Sequence, residues 1–171
     1  MELASLVRDV PDFPVKGILF KDITTLVRQG DAFQQVVDWM AEQYADKEVD
    51  KVVAIEARGY IFGAPLAYKL GAGFVPVRKP GKLPARNISE SYALEYGTNV
   101  LEVHEDAIEP GQRVVIVDDL LATGGSARAT INLVERLGGQ VIGIVFMIEL
   151  DFLHGREQLE GYDVVSLIHY S

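Results

Sequence analysis

Residues 114–126 read VVIVDDLLATGGS. An apolar run ends in two adjacent carboxylates, Asp118 and Asp119. Small residues and two hydroxyls follow, in Ala122, Thr123, Gly124, Gly125 and Ser126. Small residues where a helix starts let a ligand come close to the backbone. Free N–H groups point outward there, and the helix dipole favours an anion. Thr123 and Ser126 add hydroxyl donors. The stretch therefore suits a phosphate. The carboxylates, one loop away, suit ribose hydroxyls or a hydrated Mg²⁺ ion rather than the phosphate itself. The spacing is neither G-x-x-x-x-G-K-[ST] nor G-x-G-x-x-G. A bare T-G-G-S would be a tight strand-to-helix turn; paired acids after a buried strand argue against that.

Other residues carry chemistry only in context. Arg58 follows an apolar run in E-A-R-G, and a guanidinium makes paired hydrogen bonds to phosphate oxygens. Paired to Glu56 it would be an ordinary surface residue. Arg78, Lys79, Lys82 and Arg86 put four cations within nine residues of a Gly/Pro loop. Such a run is either a solvated face or a lid that neutralises an anion. Phe20, in an I-L-F run, reads by itself as a core residue. Glu95, alone in Y-A-L-E-Y-G, reads as a solvent-facing hairpin residue, and Tyr92 and Tyr96 either close over a ligand or pack beneath it. The histidines, His104, His154 and His169, have no ligand spacing to one another.

The elements that must position these residues alternate. Asp31 begins a helix, with Asp31 and Gln34 as a capping-box variant and Phe33, Val36, Val37, Met40 and Tyr44 on one face. Residues 51–55 form a buried strand, 60–70 a helix marred by Pro65, and 73–77 a further strand. Residues 78–90 form a loop. Residues 92–94 and 99–103 form two antiparallel strands around Gly97. Residues 113–117 are a buried strand that stops at the acids, and 124–137 a helix ended by Gly138-Gly139. Strands at 140–148 and 164–168 complete the chain, and residues 1–30 read as an irregular segment packed on the body. This order predicts an α/β fold: a mostly parallel twisted sheet flanked by helices, its ligand crevice at the carboxyl ends of the strands.

Composition bounds the reading. A chain of 171 residues, 49% hydrophobic, suffices for one core and one domain, 1–171. Its formal net charge of −9 excludes non-specific attraction to nucleic acid or anionic lipid. Without cysteine it has no disulfide, thiolate metal site or thiol nucleophile. The opening residues carry no secretory pattern, and the longest apolar stretch, 141–148, is too short to span a bilayer. The expected location is cytoplasmic, with no membrane and no nucleic-acid partner.

VVIVDDLLATGGS resembles the phosphoribosyl pyrophosphate motif of type I phosphoribosyltransferases. FPVKGILFKDIT (13–24), EARGYIFG (56–63), RKPGKLP (78–84), SYALEYG (91–97) and DLLATGGSA (119–127) recur in order in the members that act on adenine. The resemblance implies transfer of a phosphoribosyl group from phosphoribosyl pyrophosphate to adenine, giving AMP and pyrophosphate. It gives Asp118 and Asp119 the ribose hydroxyls and residues 122–126 the 5′-phosphate. Arg58, Gly59, Arg78, Lys79 and Lys82 would bind pyrophosphate, the turn at 56–59 often carrying a non-proline cis peptide. Leu19, Phe20 and Lys21 belong to an N-terminal hood, 1–30, over the base. Phe20 would stack on the ring, while backbone groups near Leu19 and Lys21 read its edge. Residues 78–98 form a flexible lid. Glu95 would manage the proton at N7 and Arg58 would share in catalysis. Mg²⁺ would ride on the substrate near Asp118 and Asp119 without a direct protein ligand, and the lid of a homodimer would reach the neighbouring subunit. Glu56-Ala57 stands where many members have Asp-Ser. Another base, a non-catalytic sensor and a generic nucleotide-binding module remain the competing readings.

Overall fold

The computed structural model describes residues 2–94 and 96–171. The N-terminal segment is more regular than its sequence suggests. A 3-10 turn at Leu3–Leu6 leads into strand β1 (Arg8–Pro11), which pairs antiparallel with β2 (Leu19–Asp22). The expectation of an irregular segment is thereby corrected. Neither strand alternates cleanly in hydropathy. The backbone ladder joins them, and two ion pairs cross it, Arg8 to Asp22 and Lys21 to Asp9, each at 2.6 Å. A helical turn, α1 (Thr24–Val27), joins it to α2 (Gly30–Glu42). That helix starts at Gly30 behind Gln29, so the Asp31–Gln34 capping box is not formed. Asp31 lies inside the first turn, where its carboxylate accepts from the Ala32 N–H. Acidic charge there still suits the dipole.

The body follows as β3 (Lys51–Ile55), α3 (Gly59–Leu70) and β4 (Gly73–Val77). The hairpin β5 (Asn87–Ala93) and β6 (Thr98–His104) comes next. Then come β7 (Arg113–Leu121), α4 (Gly125–Arg136), β8 (Gln140–Leu150) and β9 (Val164–Tyr170). Five strands form one sheet in the order β4-β3-β7-β8-β9, every neighbouring pair parallel. Helices cover both faces, as a parallel sheet requires. Val52, Val115 and Val145 pack on one face with Met40, Phe62 and Leu66 of α2 and α3. Val53, Ile116 and Ile144 pack on the other with Ile131 and Leu133 of α4 and Leu101 of β6. Each such buried side chain contributes roughly 1.5–3 kcal/mol. Gly63 lets α3 sit close to the sheet, since a methyl there would lie 2.6 Å from Ala54 Cβ. Pro65 stays within α3, which runs through it.

One boundary matters for the site. The strand carrying the acids does not stop at Val117. β3 pairs with β7 only as far as Ala54 opposite Val117, while β7 and β8 continue together to Leu121 opposite Glu149. The acids therefore lie inside a strand whose outer edge is uncovered. The β5–β6 hairpin is also longer than its apolar residues indicate, since β5 begins at Asn87 and includes Ser89, Glu90 and Ser91. No helix among the described residues is long and apolar enough to cross a membrane.

Candidate active site

Because β3 is the shorter strand, its chain turns off just beside the uncovered edge of β7. Glu56-Ala57, a cis peptide, starts that turn, and Arg58 caps α3 at its end. Arg58 reaches across the step, its Nε 2.6 Å from Asp119 Oδ2. Glu56 is therefore not its partner. Gly59 makes the approach possible, since a Cβ there would sit 3.0 Å from Asp118 Oδ1 and 3.1 Å from the Val117 carbonyl. Asp118 and Asp119 are both buried, and both line one cavity at this step. Burial and the adjacent Asp119 charge push the Asp118 carboxyl well above the usual carboxylate range. Burial opposes the charge on Arg58, but Asp119 and then Asp118 raise its pKa overall. The two acids and the arginine thus form one coupled charge group.

Beyond them the chain crosses to α4. Gly124 is the N-cap, with φ 89°, and Gly125 opens the helix. A cavity of about 260 Å³ lies here, lined by residues 118–127 together with Arg58, Tyr92, Leu94 and Phe146. All seven sequence-expected residues of the cradle and acids line it. Tyr92, from the lid hairpin, rests on the helix start: a Cβ on Gly125 would come within 2.9 Å of its ring. Tyr96 is exposed.

A second hollow, about 410 Å³, lies under the N-terminal hairpin, lined by Val10, Phe13, Phe20, Asp22, Thr24 and Arg58. Arg58 thus borders both spaces, its guanidinium 5.4 Å from the centre of the Phe20 ring. Phe20 belongs to neither core cluster and meets Phe13 edge to face at 5.1 Å. Strand alternation turns its neighbours the other way. Leu19 is exposed, and Lys21 Nζ sits 3.9 Å over the Tyr170 ring while pairing with Asp9. Their side chains do not line the hollow, which leaves them only their backbone groups to offer.

Arg78, Lys79 and Lys82 do not line the cavity at the start of α4. Arg78 Nε donates to Glu56 Oε1 at 3.0 Å, Lys82 Nζ to Oε2 at 2.5 Å, and the Lys79 amide to Oε1 at 3.2 Å. Arg86 lies away from this group, 3.8 Å from Glu105. Glu95 lies outside the described residues.

The Phosphoribosyl transferase domain family matches residues 22–169 of this sequence. The chain belongs to the phosphoribosyltransferase family. This phosphoribosyltransferase is 62% identical over 169 residues to the adenine phosphoribosyltransferase of Acidobacterium capsulatum, covering 99% of this chain and 93% of that protein. It is 59% identical to that of Thermotoga maritima, covering 99% and 98%. The crystal structure of the Thermoanaerobacter pseudethanolicus enzyme superposes with a TM-score of 0.96 at 56% identity, covering 99% and 98%. That from Saccharomyces cerevisiae, complexed with adenine and an imino-altritol bisphosphate, gives 0.91 at 42%, covering 97% and 96%.

The sequence reading of this phosphoribosyltransferase missed Val10, Phe13, Asp22 and Thr24 as lining residues. Phe13, Asp22 and Thr24 lie within the recurring segment 13–24, which was their signal; Val10 had none. It also missed Glu56 as a partner for lid cations. Burial alone would raise the Glu56 carboxyl, but hydrogen bonds from Lys82, the Lys79 amide and Arg78 hold it at about 2, below its ordinary 4.5. A depressed acid stabilises the fold fully above its unfolded pKa and loses that contribution as pH falls through the folded one. The window here runs from pH 4.5 down to about 2. Glu56→Gln should lower the melting temperature at neutral pH and flatten its fall across that window. A parallel pair of curves, measured by circular dichroism against pH, would show that Glu56 is not held this way.

Proposed function

We propose that the protein transfers the 5-phosphoribosyl group of phosphoribosyl pyrophosphate to N9 of adenine, giving AMP and pyrophosphate, a step of purine salvage. One observation carries the reading. A helix-start phosphate cradle, paired acids and an arginine line one cavity, and the same arginine borders an aromatic hollow large enough for a base. The names of the relatives and the adenine in the yeast structure support it.

In this scheme residues 122–126 hold the 5′-phosphate through backbone N–H groups and the Thr123 and Ser126 hydroxyls. Asp118 and Asp119 accept from the ribose hydroxyls. Phe20 stacks on the base, with the backbone near Leu19 and Lys21 at its edge. Positive charge grows on the ribose ring as the C1′–O bond to pyrophosphate breaks, and N9 attacks from the opposite face. The protein contributes position and charge rather than covalent chemistry. Arg58 and the Gly59 amide meet the departing pyrophosphate, joined by Arg78, Lys79 and Lys82 when the lid closes and excludes water.

The donor set around the acids suits a hydrated ion. Asp118 Oδ1 already accepts from the Asp119 N–H, and Asp119 Oδ2 from Arg58. Mg²⁺ carried on the substrate would shield its phosphate charge near Asp118 and Asp119 without direct coordination. The protein acts as a single domain in the cytoplasm, as a homodimer whose lid meets the neighbouring active site.

Glu95 is assigned the proton at N7, because bonding at N9 requires a proton to leave the base. Glu95→Ala should lower kcat by about 10²-fold, with a smaller change in the KM for phosphoribosyl pyrophosphate. Steady-state kinetics checks this, and unchanged turnover removes Glu95 from the mechanism.

The test of the function is turnover with phosphoribosyl pyrophosphate, Mg²⁺ and each purine base in turn, followed by absorbance and chromatography. Adenine should be converted to AMP far ahead of the others. Preference for another base would overturn the hood assignment. No turnover, with phosphoribosyl pyrophosphate still bound, would replace the enzyme with a sensor.

A further inference from the structure

The segment after β8, DFLHGREQL, has no role in the scheme above. It forms two 3-10 turns, Asp151–Leu153 and Gly155–Leu159, and none of its residues is among those lining the cradle cavity. It packs behind the cradle instead, backbone against backbone. A Cβ on Gly155 would lie 2.4 Å from the Ala122 carbonyl oxygen, and a Cβ on Gly124 would lie 2.6 Å from the Gly155 carbonyl oxygen. Gln158 closes the contact, its Nε2 donating to the Thr123 carbonyl at 2.9 Å.

That hydrogen bond has a directional consequence. In a trans peptide the carbonyl and the following N–H point opposite ways within one rigid plane. Drawing the Thr123 carbonyl toward Gln158 turns the Gly124 N–H away from Gln158. Gly124 has φ 89°, where glycine is unusually free to let this plane rotate. Without an external tie, the cradle would have to spend conformational freedom each time it bound an anion.

The brace is itself anchored. Arg156 Nε lies 3.0 and 2.9 Å from the two oxygens of buried Glu149, and its Nη1 donates to the Val164 carbonyl at 2.9 Å. Ser166 Oγ donates to the same carboxylate at 2.8 Å. Gly155 and Leu159 are buried beneath the turn. Glu149 lies at the far end of β8, opposite Leu121, so the anchor and the cradle rise from the same two extended strands.

We infer that Gln158, on a turn fixed by the Glu149–Arg156 ion pair, is a positioning residue that pre-orients the Thr123–Gly124 peptide for the 5′-phosphate. The inference rests on the cradle assignment made above, and the test separates the two. Gln158 is exposed, so replacing it leaves the core intact. Gln158→Met keeps its length and removes the donor. Binding of ribose 5-phosphate and of pyrophosphate would be measured by calorimetry on wild type and variant, with melting temperatures. Having to order the freed Thr123–Gly124 peptide at each binding event predicts roughly five-fold weaker ribose 5-phosphate binding. Pyrophosphate binding and melting temperature should stay as in wild type, and the KM for phosphoribosyl pyrophosphate should rise more than kcat falls. Unchanged ribose 5-phosphate binding in the variant would overturn the inference. So would equal weakening of both ligands with a lowered melting temperature, the mark of a purely structural role. A wild type that does not bind ribose 5-phosphate at all would instead overturn the cradle assignment.

Discussion

Replacing Arg58 with alanine should lower kcat by about 10²–10³-fold, the loss seen when a fixed donor to developing negative charge is removed. The structure adds a second reason for a large effect. Arg58 is the cation that Asp119 pairs with, and Asp118 is buried beside that carboxylate. Without the arginine, two adjacent acids face each other with no compensating charge, so ionising both becomes costly. The ribose hydroxyls would then meet a site short of ionised acceptors. Arg58→Lys should recover part of the loss, since it restores charge but not the planar pair of donors. Steady-state kinetics with both variants, beside their melting curves, tests this. Wild-type turnover in Arg58→Ala would leave the pyrophosphate to the lid cations alone.

The second large effect is expected from one methyl group. Gly124→Ala places a side chain at φ 89° and drives its Cβ to 2.6 Å from the Gly155 carbonyl oxygen. The conformational cost alone is roughly 1–2 kcal/mol. The clash is with backbone, so relief requires the cradle or the turn behind it to move. The KM for phosphoribosyl pyrophosphate should rise by about 10- to 100-fold, while adenine affinity changes little. Gly161→Ala is the matched control, with φ 90° and open space around its Cβ position. It carries the strain without the clash, and should lower the melting temperature without raising that KM. Equal kinetic constants for Gly124→Ala and wild type would show that the 5′-phosphate does not rest there.

The sheet was legible because parallel strands buried on both faces are continuous apolar runs, as in Val52–Ile55 and Val114–Val117. The cavity at the start of α4 was legible because small residues there follow closely on paired acids. The N-terminal hairpin was not, since its strands carry no apolar alternation and the Arg8–Asp22 and Lys21–Asp9 ion pairs that cross it leave no pattern in the sequence. The true length of β7 was hidden because two acids normally end a buried strand; here pairing with β8 carries it on to Leu121, and Arg58, from the turn after β3, pairs with Asp119. The partners of the cations in residues 78–86 were not legible either. Arg78 and Lys82 close on Glu56, while Arg86 stands apart beside Glu105. Pairings between residues far apart in sequence leave no mark on spacing.

Glu56 already neutralises Arg78 and Lys82, so an anion drawn to them must first displace a carboxylate. Arg78 and Lys82 share a carboxylate of only 8% exposure, a pairing that dissolved salt screens weakly. A chloride or an acetate ion offers those cations no more charge than they already hold, so exchange gives it no advantage. An anion with several charges and many acceptor oxygens can satisfy both cations and still engage the turn at Arg58. The expected result is selection by valence before any shape is compared, with common monovalent ions poor competitors for the loop.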